Sequence, residues 1–206
     1  MRMPRDRTTD DASLLEIAAR DNDADRDILR MAVAGDMARA MRVLMKRHGR
    51  SVYRYCREAL HDPTLADDVQ QQVFIEAHRD LTTFAGRSTV RTWLFAIARH
   101  RVLDAAKSRT RARAHIEEEA TADTTDPTPP PDERIDDAKL ALALVDCVAK
   151  LPDAILTAVL LRYQQGFTFE EMAVICKEKP GTLQARVMRV LPLLKNCIEE
   201  RLGRRA

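Results

Sequence analysis

The stretch AHIEEEATADTTDPTPPPDERIDD, residues 114–137, most limits what this chain can fold into. It carries a net charge of about −8 and has almost no apolar side chains, so it has little to bury against a core. Its TPPP run favours extended polyproline backbone over helix or sheet. Such a tract reads as a linker, and it divides the 206 residues into two modules. The divisions expected are a polar N-terminal extension over 1–26, a first module over 27–113, the linker over 114–137 and a second module over 138–206.

Both modules read as helical. Aromatic residues make up only 4% of the chain, which argues against a β-sandwich, whereas 45% hydrophobic content is enough for a core. The fold class expected is all-α: two small helical domains joined by an acidic linker. The net charge of +2 conceals a segregation, with about −3 over 1–27, about +9 over 28–113, about −8 in the tract and about +4 after it. Basic modules beside an acidic tract point to a polyanionic partner. Cys56, Cys147, Cys176 and Cys197 are widely spaced and form no CxxC, so neither a zinc site nor a disulfide is expected, and the thiols read as small, buried and reduced. No apolar run approaches the length of a membrane span, and MRMPRDRTTDDAS lacks the apolar segment of a secretory signal. A cytoplasmic protein without membrane insertion is the expectation.

In the first module, Ile28, Leu29, Met31 and Val33 precede a break at Gly35–Asp36. Met41, Leu44, Met45, Val52, Tyr55 and Cys56 then follow helical spacing up to Leu60, with a break or kink conceivable at Gly49. His61-Asp62-Pro63 ends that helix. A helical hairpin follows over 65–113. Its first helix turns Val69, Val73 and Ala77 inward and sets Asp68, Gln71, Gln72, Ile75 and Arg79 on another face. Its second helix is expected over about 88–108, capped by Ser88 or Thr89, with Val90, Leu94, Ile97 and Ala98 buried. Arginines crowd that helix beside Trp93, the one tryptophan. Cations for phosphates and an aromatic for stacking suit a nucleic-acid surface, although a solvated basic face with a core tryptophan has the same composition.

In the second module, Leu140, Leu144, Cys147, Val148 and Leu151 mark one helix. A second is expected over Asp153–Gln164, capped by Asp153, with Ile155, Val159, Leu160 and Tyr163 inward. Thr168-Phe169-Glu170-Glu171 is a capping box opening a short helix to Cys176. A turn at Lys177–Lys179 leads to Pro180 at the first position of the last helix. Leu183, Val187, Val190, Leu191 and Leu194 give that helix its buried face. Two helices, a tight turn and a basic second helix describe a helix-turn-helix, whose second helix enters the DNA major groove.

From about Ile28 to Arg201, in order and spacing, these segments resemble the bacterial RNA polymerase sigma factors of the extracytoplasmic-function (ECF) type. AGDMARAMRVLMKRHGRSVYRYCREAL and LADDVQQQVFIEAHRDLTTFAGRSTVRTWLFAIARHRVLDAAKSR look like the family's region two. LPDAILTAVLLRYQQGFTFEEMAVICKEKPGTLQARV looks like region four. The resemblance implies an initiation factor, not an enzyme, with no catalytic residue, metal or cofactor of its own. The partners it implies are core RNA polymerase, through the clamp helices of its largest subunit and its flap, and promoter DNA; an anti-sigma factor is a further partner it allows. By the same resemblance, Asp67, Asp68, Gln71, Gln72, Ile75 and Arg79 dock on core polymerase. Arg87, Ser88, Thr89, Arg91, Trp93, Arg99, His100, Asp104 and Lys107 melt and read the −10 element. Thr182, Gln184, Ala185, Arg186 and Arg189 read the −35 element.

The chain departs from the family pattern at four places. Gln72 replaces a usual acid, His100 a frequent asparagine, and Lys179 a capping serine. Pro192 falls where the last helix usually continues. Proline removes a helical hydrogen bond and clashes with the preceding turn, at about 3 kcal/mol in an unkinked helix, which predicts a bend near Met188–Leu191. The alternative reading is a helix-turn-helix regulator that never joins polymerase. It leaves the Asp67–Arg79 face without a role. A helical hydrolase using Asp67, Asp68 and His78 or His100 lacks any glycine-rich or metal-spaced context.

Overall fold

The structure, a computed structural model, describes residues 25–117 and 135–203, with side chains over 25–111 and 138–203. Residues 1–24, with the helix expected at Leu14–Arg20, and residues 118–134 of the acidic tract lie outside the described residues. The regular structure among the described residues is entirely helical.

Helix α1 covers 25–33, so Asp25 and Arg26 belong to the first module rather than to the extension. Gly35, at φ 85°, turns the chain into α2, Met37–Leu60, which Asp36 caps by accepting from the Arg39 amide. Gly49 causes no break. Its carbonyl instead accepts from Gln70 Nε2 at 2.8 Å, tying α2 to the next helix. That helix, α3, spans Pro63–Asp80 and is capped by Asp62 with proline at its start. A short 3₁₀ turn at Leu81–Thr83 and a loop lead to α4. Thr89 caps α4, its Oγ accepting from the Thr92 amide at 3.0 Å. Helix α4 runs from Val90 to Glu117, past the expected end at Ser108 and into the acidic tract. Leu44, Val52, Tyr55, Val73, Ala77, Leu94 and Phe95 fill the space between α2, α3 and α4.

The second module begins earlier than its apolar residues suggest, with α5 over Ile135–Ala149. Helix α6, Asp153–Val159, follows Pro152, which stands at the cap position; Asp153 is therefore the first helical residue and not the cap. The chain then widens into a π turn at Leu160–Gln164, closed by the Gln165 amide on the Leu160 carbonyl. This extra residue rotates Tyr163 outward, so the tyrosine expected inside is exposed. Helix α7, Phe169–Cys176, has the expected capping box, with Thr168 and Glu171 bonding each other's backbone amides. Helix α8 runs unbroken over Pro180–Arg201 with Pro192 inside it. Pro192 lies on the exposed side, so water can reach the carbonyl it leaves unpaired.

Two further expectations fail in this module. Cys147 of α5 and Cys197 of α8 form a disulfide, contrary to the reading of all four cysteines as reduced thiols. The bond closes a loop of 50 residues, a tertiary relation that local spacing does not encode. Cys56 and Cys176 are the free, buried thiols expected. The second failure concerns α5, where Leu140 and Leu144 are exposed rather than buried. They line a groove of about 970 Å³ with Val145, Tyr163, Leu191 and Ile198.

The two modules do not stand apart. One buried cluster runs from Ile28 and Leu44 in the first to Leu161, Phe167, Met172 and Val187 in the second. Phe167 is fully buried at the joint, its ring edge-on to Phe95 at 5.0 Å. The Arg91 guanidinium lies 4.0 Å over the other module's Phe167 and also donates to the Gln165 carbonyl. Arg54 donates to the Gln164 carbonyl at 3.1 Å.

Reducing the Cys147–Cys197 bond should lower the stability of the second module by about 2–4 kcal/mol, read from denaturant curves with and without reductant. Burial pushes the Cys56 thiol up to about 12, and burial also raises that of Cys176. Both should therefore ignore a thiol-specific reagent at pH 8 until the chain is unfolded. Phe167→Ala should cost about 3–5 kcal/mol of packing at the joint. Its effect should appear in small-angle scattering as an increased radius of gyration, as the modules separate.

Candidate polymerase and nucleic-acid interface

Three surfaces carry the residues singled out above. The first is the outer face of α3. Val69, Val73 and Ala77 point into the core, which forces the opposite residues outward. Asp67, Asp68, Gln71, Gln72, Ile75 and Arg79 are all exposed, and Ile75 shows 60% of its surface. An exposed isoleucine among amides and acids, with apolar neighbours, fits the centre of a docking patch. Met45 of α2, expected inside, is 52% exposed. It joins Met41, Gln70, Gln71, Phe74, Ile75 and His78 around a shallow groove. Sequence reasoning missed Met45 because its heptad position suits either side of a helix edge. Arg79 pairs with Asp80, and each holds the other charged: the guanidinium is raised and the carboxyl lowered by their shared hydrogen bond. Beneath this face, Arg101 of α4 reaches Glu76 at 2.5 Å and locks α3 against α4.

The second surface is the loop 84–89 and α4. Gly86, at φ 65°, allows a turn that a side chain would strain. Arg87 is exposed at its tip, with Ser88 and Thr89 half-buried behind it. From Trp93 onward α4 has two faces. Trp93, His100, Asp104 and Lys107 share one, spaced near multiples of a helical turn. His100, Asp104 and Lys107 are exposed on it, and His100 Nδ1 lies 3.3 Å from Asp104. Trp93 is half-buried and leans on Phe84 at 5.4 Å. Arg91 and Arg99 lie on the other stripe with Phe95 and face the second module. Arg91 is taken up by Phe167 and the Gln165 carbonyl, and Arg99 Nε is buried without a hydrogen-bond partner among the described residues. The nine residues expected to act together are therefore split, with Arg91 and Arg99 at the joint and the other seven on the loop and open face.

The third surface is the start of α8. The turn into it places Lys177 in the left-handed region, at φ 56°, where glycine would cost less. Lys179 stands at the cap without a side-chain hydrogen bond, and its backbone carbonyl accepts from the Thr182 and Leu183 amides at 3.0 and 3.2 Å. Thr182, Gln184 and Arg189 are exposed. Thr182, Ala185, Arg186 and Arg189 line one shallow depression with Gly181. Arg186 is held by Glu178 of the turn, Nη1 to Oε1 at 3.0 Å and Nη2 to Oε2 at 2.5 Å. That hydrogen-bonded pairing lowers the Glu178 carboxyl below the usual range and raises the guanidinium. Sequence reasoning did not single out Glu178, Gln165 or Phe167. Glu178 lies eight residues before Arg186, and only the fold of the turn brings them together.

The family description of Sigma-70 region 2 matches residues 44–112. A probable RNA polymerase sigma-C factor of Mycobacterium bovis is 30% identical over 167 residues, covering 78% of this chain and 84% of that protein. The ECF RNA polymerase sigma-E factor of Haemophilus influenzae is 28% identical over 143 residues, covering 64% and 74%. Among solved structures, CnrH in complex with the cytosolic domain of CnrY matches with a TM-score of 0.61 at 21% identity, covering 89% of this chain and 99% of that one. The sigma factor RpoE in complex with the anti-sigma factor NepR, from Bartonella quintana, matches with a TM-score of 0.57 at 20% identity, over 77% and 94%. These two likenesses establish a shared fold. With two helical modules in the family's order and relatives matched over most of their length, this chain belongs to the ECF RNA polymerase sigma factors.

Proposed function

We propose that this sigma factor joins core RNA polymerase through the outer face of α3 and reads promoters with α4 and α8. The observation that carries the reading is the simultaneous exposure of Asp67, Asp68, Gln71, Gln72, Ile75 and Arg79, a face that the folded chain leaves uncovered. Ile75 and Met45 supply the apolar centre and the polar residues the rim. The groove between α5 and α8 is a second apolar surface, suited to the polymerase flap. Residues 27–113 act as region two, the acidic tract as the connector and residues 138–206 as region four. The protein works inside the cell and catalyses no reaction.

Promoter opening requires unstacking bases, at a few kcal/mol per base. Arg87, Ser88 and Thr89 at the loop, with Trp93, His100, Asp104 and Lys107 beside them, offer donors, acceptors and an aromatic edge to the displaced strand. Arg91 and Arg99 join this surface only when the second module leaves α4. The packed chain is thus a resting form, and polymerase binding separates the modules so that the two readers span the −10 and −35 elements. An anti-sigma factor, as NepR is for RpoE, would act by holding the packed form. Thr182, Gln184, Ala185, Arg186 and Arg189 of α8 contact the −35 element, with lysines and arginines supplying salt-dependent affinity.

Ile75→Glu should weaken binding to core polymerase at least tenfold in a pull-down or by fluorescence anisotropy, since it puts a charge at the centre of an apolar contact. Unchanged core binding in that variant, with intact helicity, would favour the regulator that uses DNA alone. In the packed protein, single-stranded −10 DNA should bind poorly. Phe167→Ala should bind it more tightly, with a steeper salt dependence as Arg91 and Arg99 become available.

A further inference from the structure

Glu178 has no assigned role in either reader, yet it makes a two-pronged ion pair with Arg186. Both Nη groups of Arg186 meet its two carboxylate oxygens, at 3.0 and 2.5 Å. The fold does not need this pair to hold the turn. Met172 and Ile175 of α7 already pack with Leu183 and Val187 of α8, all four almost wholly buried. The pair itself is partly exposed, at 24% for Arg186 and 28% for Glu178, a setting in which an ion pair adds little stability. It joins the turn of the helix-turn-helix to the seventh residue of α8, beside Thr182, Ala185 and Arg189 in one depression.

A guanidinium has five N–H donors in a rigid planar fork. When its two Nη groups hold a carboxylate end-on, one N–H on each Nη is committed. The side edge, made of Nε–H and the neighbouring Nη–H, remains intact. That edge matches the O6 and N7 acceptors of guanine in the major groove. A guanidinium gripped at one end also cannot swing to a phosphate, the contact an unrestrained surface arginine makes most readily.

We infer that Glu178 is a specificity-positioning residue: by gripping Arg186 end-on it commits that side chain to a guanine in the −35 element. The inference rests on the reading of Arg186 as a −35 contact. Glu178 touches no base itself. Its effect is to fix which edge of Arg186 faces the groove and to keep that side chain off the phosphates. In the packed form Arg99 of α4 also acts electrostatically on Glu178, so separating the modules leaves Arg186 as its partner for DNA reading.

The test uses holoenzyme reconstituted from core polymerase and the full chain, with a promoter library randomised across the −35 element and read by sequencing of bound DNA. Arg186→Ala should lower the preference for guanine at one position by about 5- to 150-fold, the range of one bidentate base contact. Glu178→Gln should weaken the same preference at the same position. It should also steepen the dependence of log K on log salt by about 0.9, as the released guanidinium finds a phosphate. Glu178→Asp, which keeps the charge, should restore part of the preference. A base profile unchanged in Glu178→Gln, beside one flattened in Arg186→Ala, would overturn the positioning role and leave the Arg186 reading standing. A melting temperature lowered in Glu178→Gln with that same unchanged profile would assign the pair to structure and overturn it equally. A profile unchanged in Arg186→Ala would remove the base contact itself, and the inference with it.

Discussion

Phe167 is the contact on which the arrangement of the whole chain depends. It lies just beyond the π turn of the second module, yet it is buried against Phe95 of the first. The Arg91 guanidinium covers its face at 4.0 Å. The π turn makes this possible, because one extra residue per turn swings Tyr163 out to solvent and brings Gln164 and Gln165 to α2 and α4. Their carbonyls then accept from Arg54 and Arg91, and the Gln165 side chain reaches the Ser51 carbonyl at 3.4 Å. An apolar ring bordered by polar contacts to backbone carbonyls describes a joint between domains, which can open without exposing a wholly greasy surface.

This joint changes what the basic composition means. Read as a total, the arginines of α4 form one nucleic-acid surface. In the fold they divide by stripe: Arg91 and Arg99 follow Phe95 inward, while His100, Asp104 and Lys107 face out. A single helix thus leaves one set of groups exposed and holds the other beneath a neighbouring module. On the proposed reading, affinity for melted promoter DNA is a property of the distance between modules as well as of side-chain chemistry. That is conformational selection in its simplest form: a ligand that needs Arg91 and Arg99 draws the chain toward the open state by its preference for that state.

What could be read from the residues follows from the range of the interactions. The capping box at Thr168 and Glu171, proline at the start of α3 and α8, and the inward faces at Val69, Val73, Leu183 and Val187 are set within one or two helical turns, and the spacing carries them. The exposed outer face of α3 follows from the same periodicity. The Cys147–Cys197 bond, the Glu178 grip on Arg186 and the burial of Phe167 against Phe95 need residues from different helices. No local pattern encodes those meetings. The apolar residues of α5 misled for a related reason: Leu140 and Leu144 have core spacing but face a groove, because α6 and α8 do not close over them. The acidic tract is expected to be linker over 114–137, yet helix continues to Glu117 on one side and resumes at Ile135 on the other.

Packing two basic modules together also raises an electrostatic cost, and the way the chain meets it bears on function. Arg54, Arg109 and Arg162 each donate to a backbone carbonyl, on Gln164, Leu60 and Phe167 respectively. A carbonyl fixes a guanidinium in place but leaves its full positive charge, so the field around these helices stays attractive to a polyanion. The arginines that anchor α3 and the turn before α8 are treated differently. Arg101 meets Glu76 and Arg186 meets Glu178, carboxylates that cancel charge as well as direct it. Cancelled charge is useful where geometry must be rigid and sequence-neutral attraction would be a distraction; uncancelled charge is useful where any phosphate will serve. The distribution of acceptors therefore separates side chains that set position from those that supply general affinity, a distinction that the count of arginines alone does not contain.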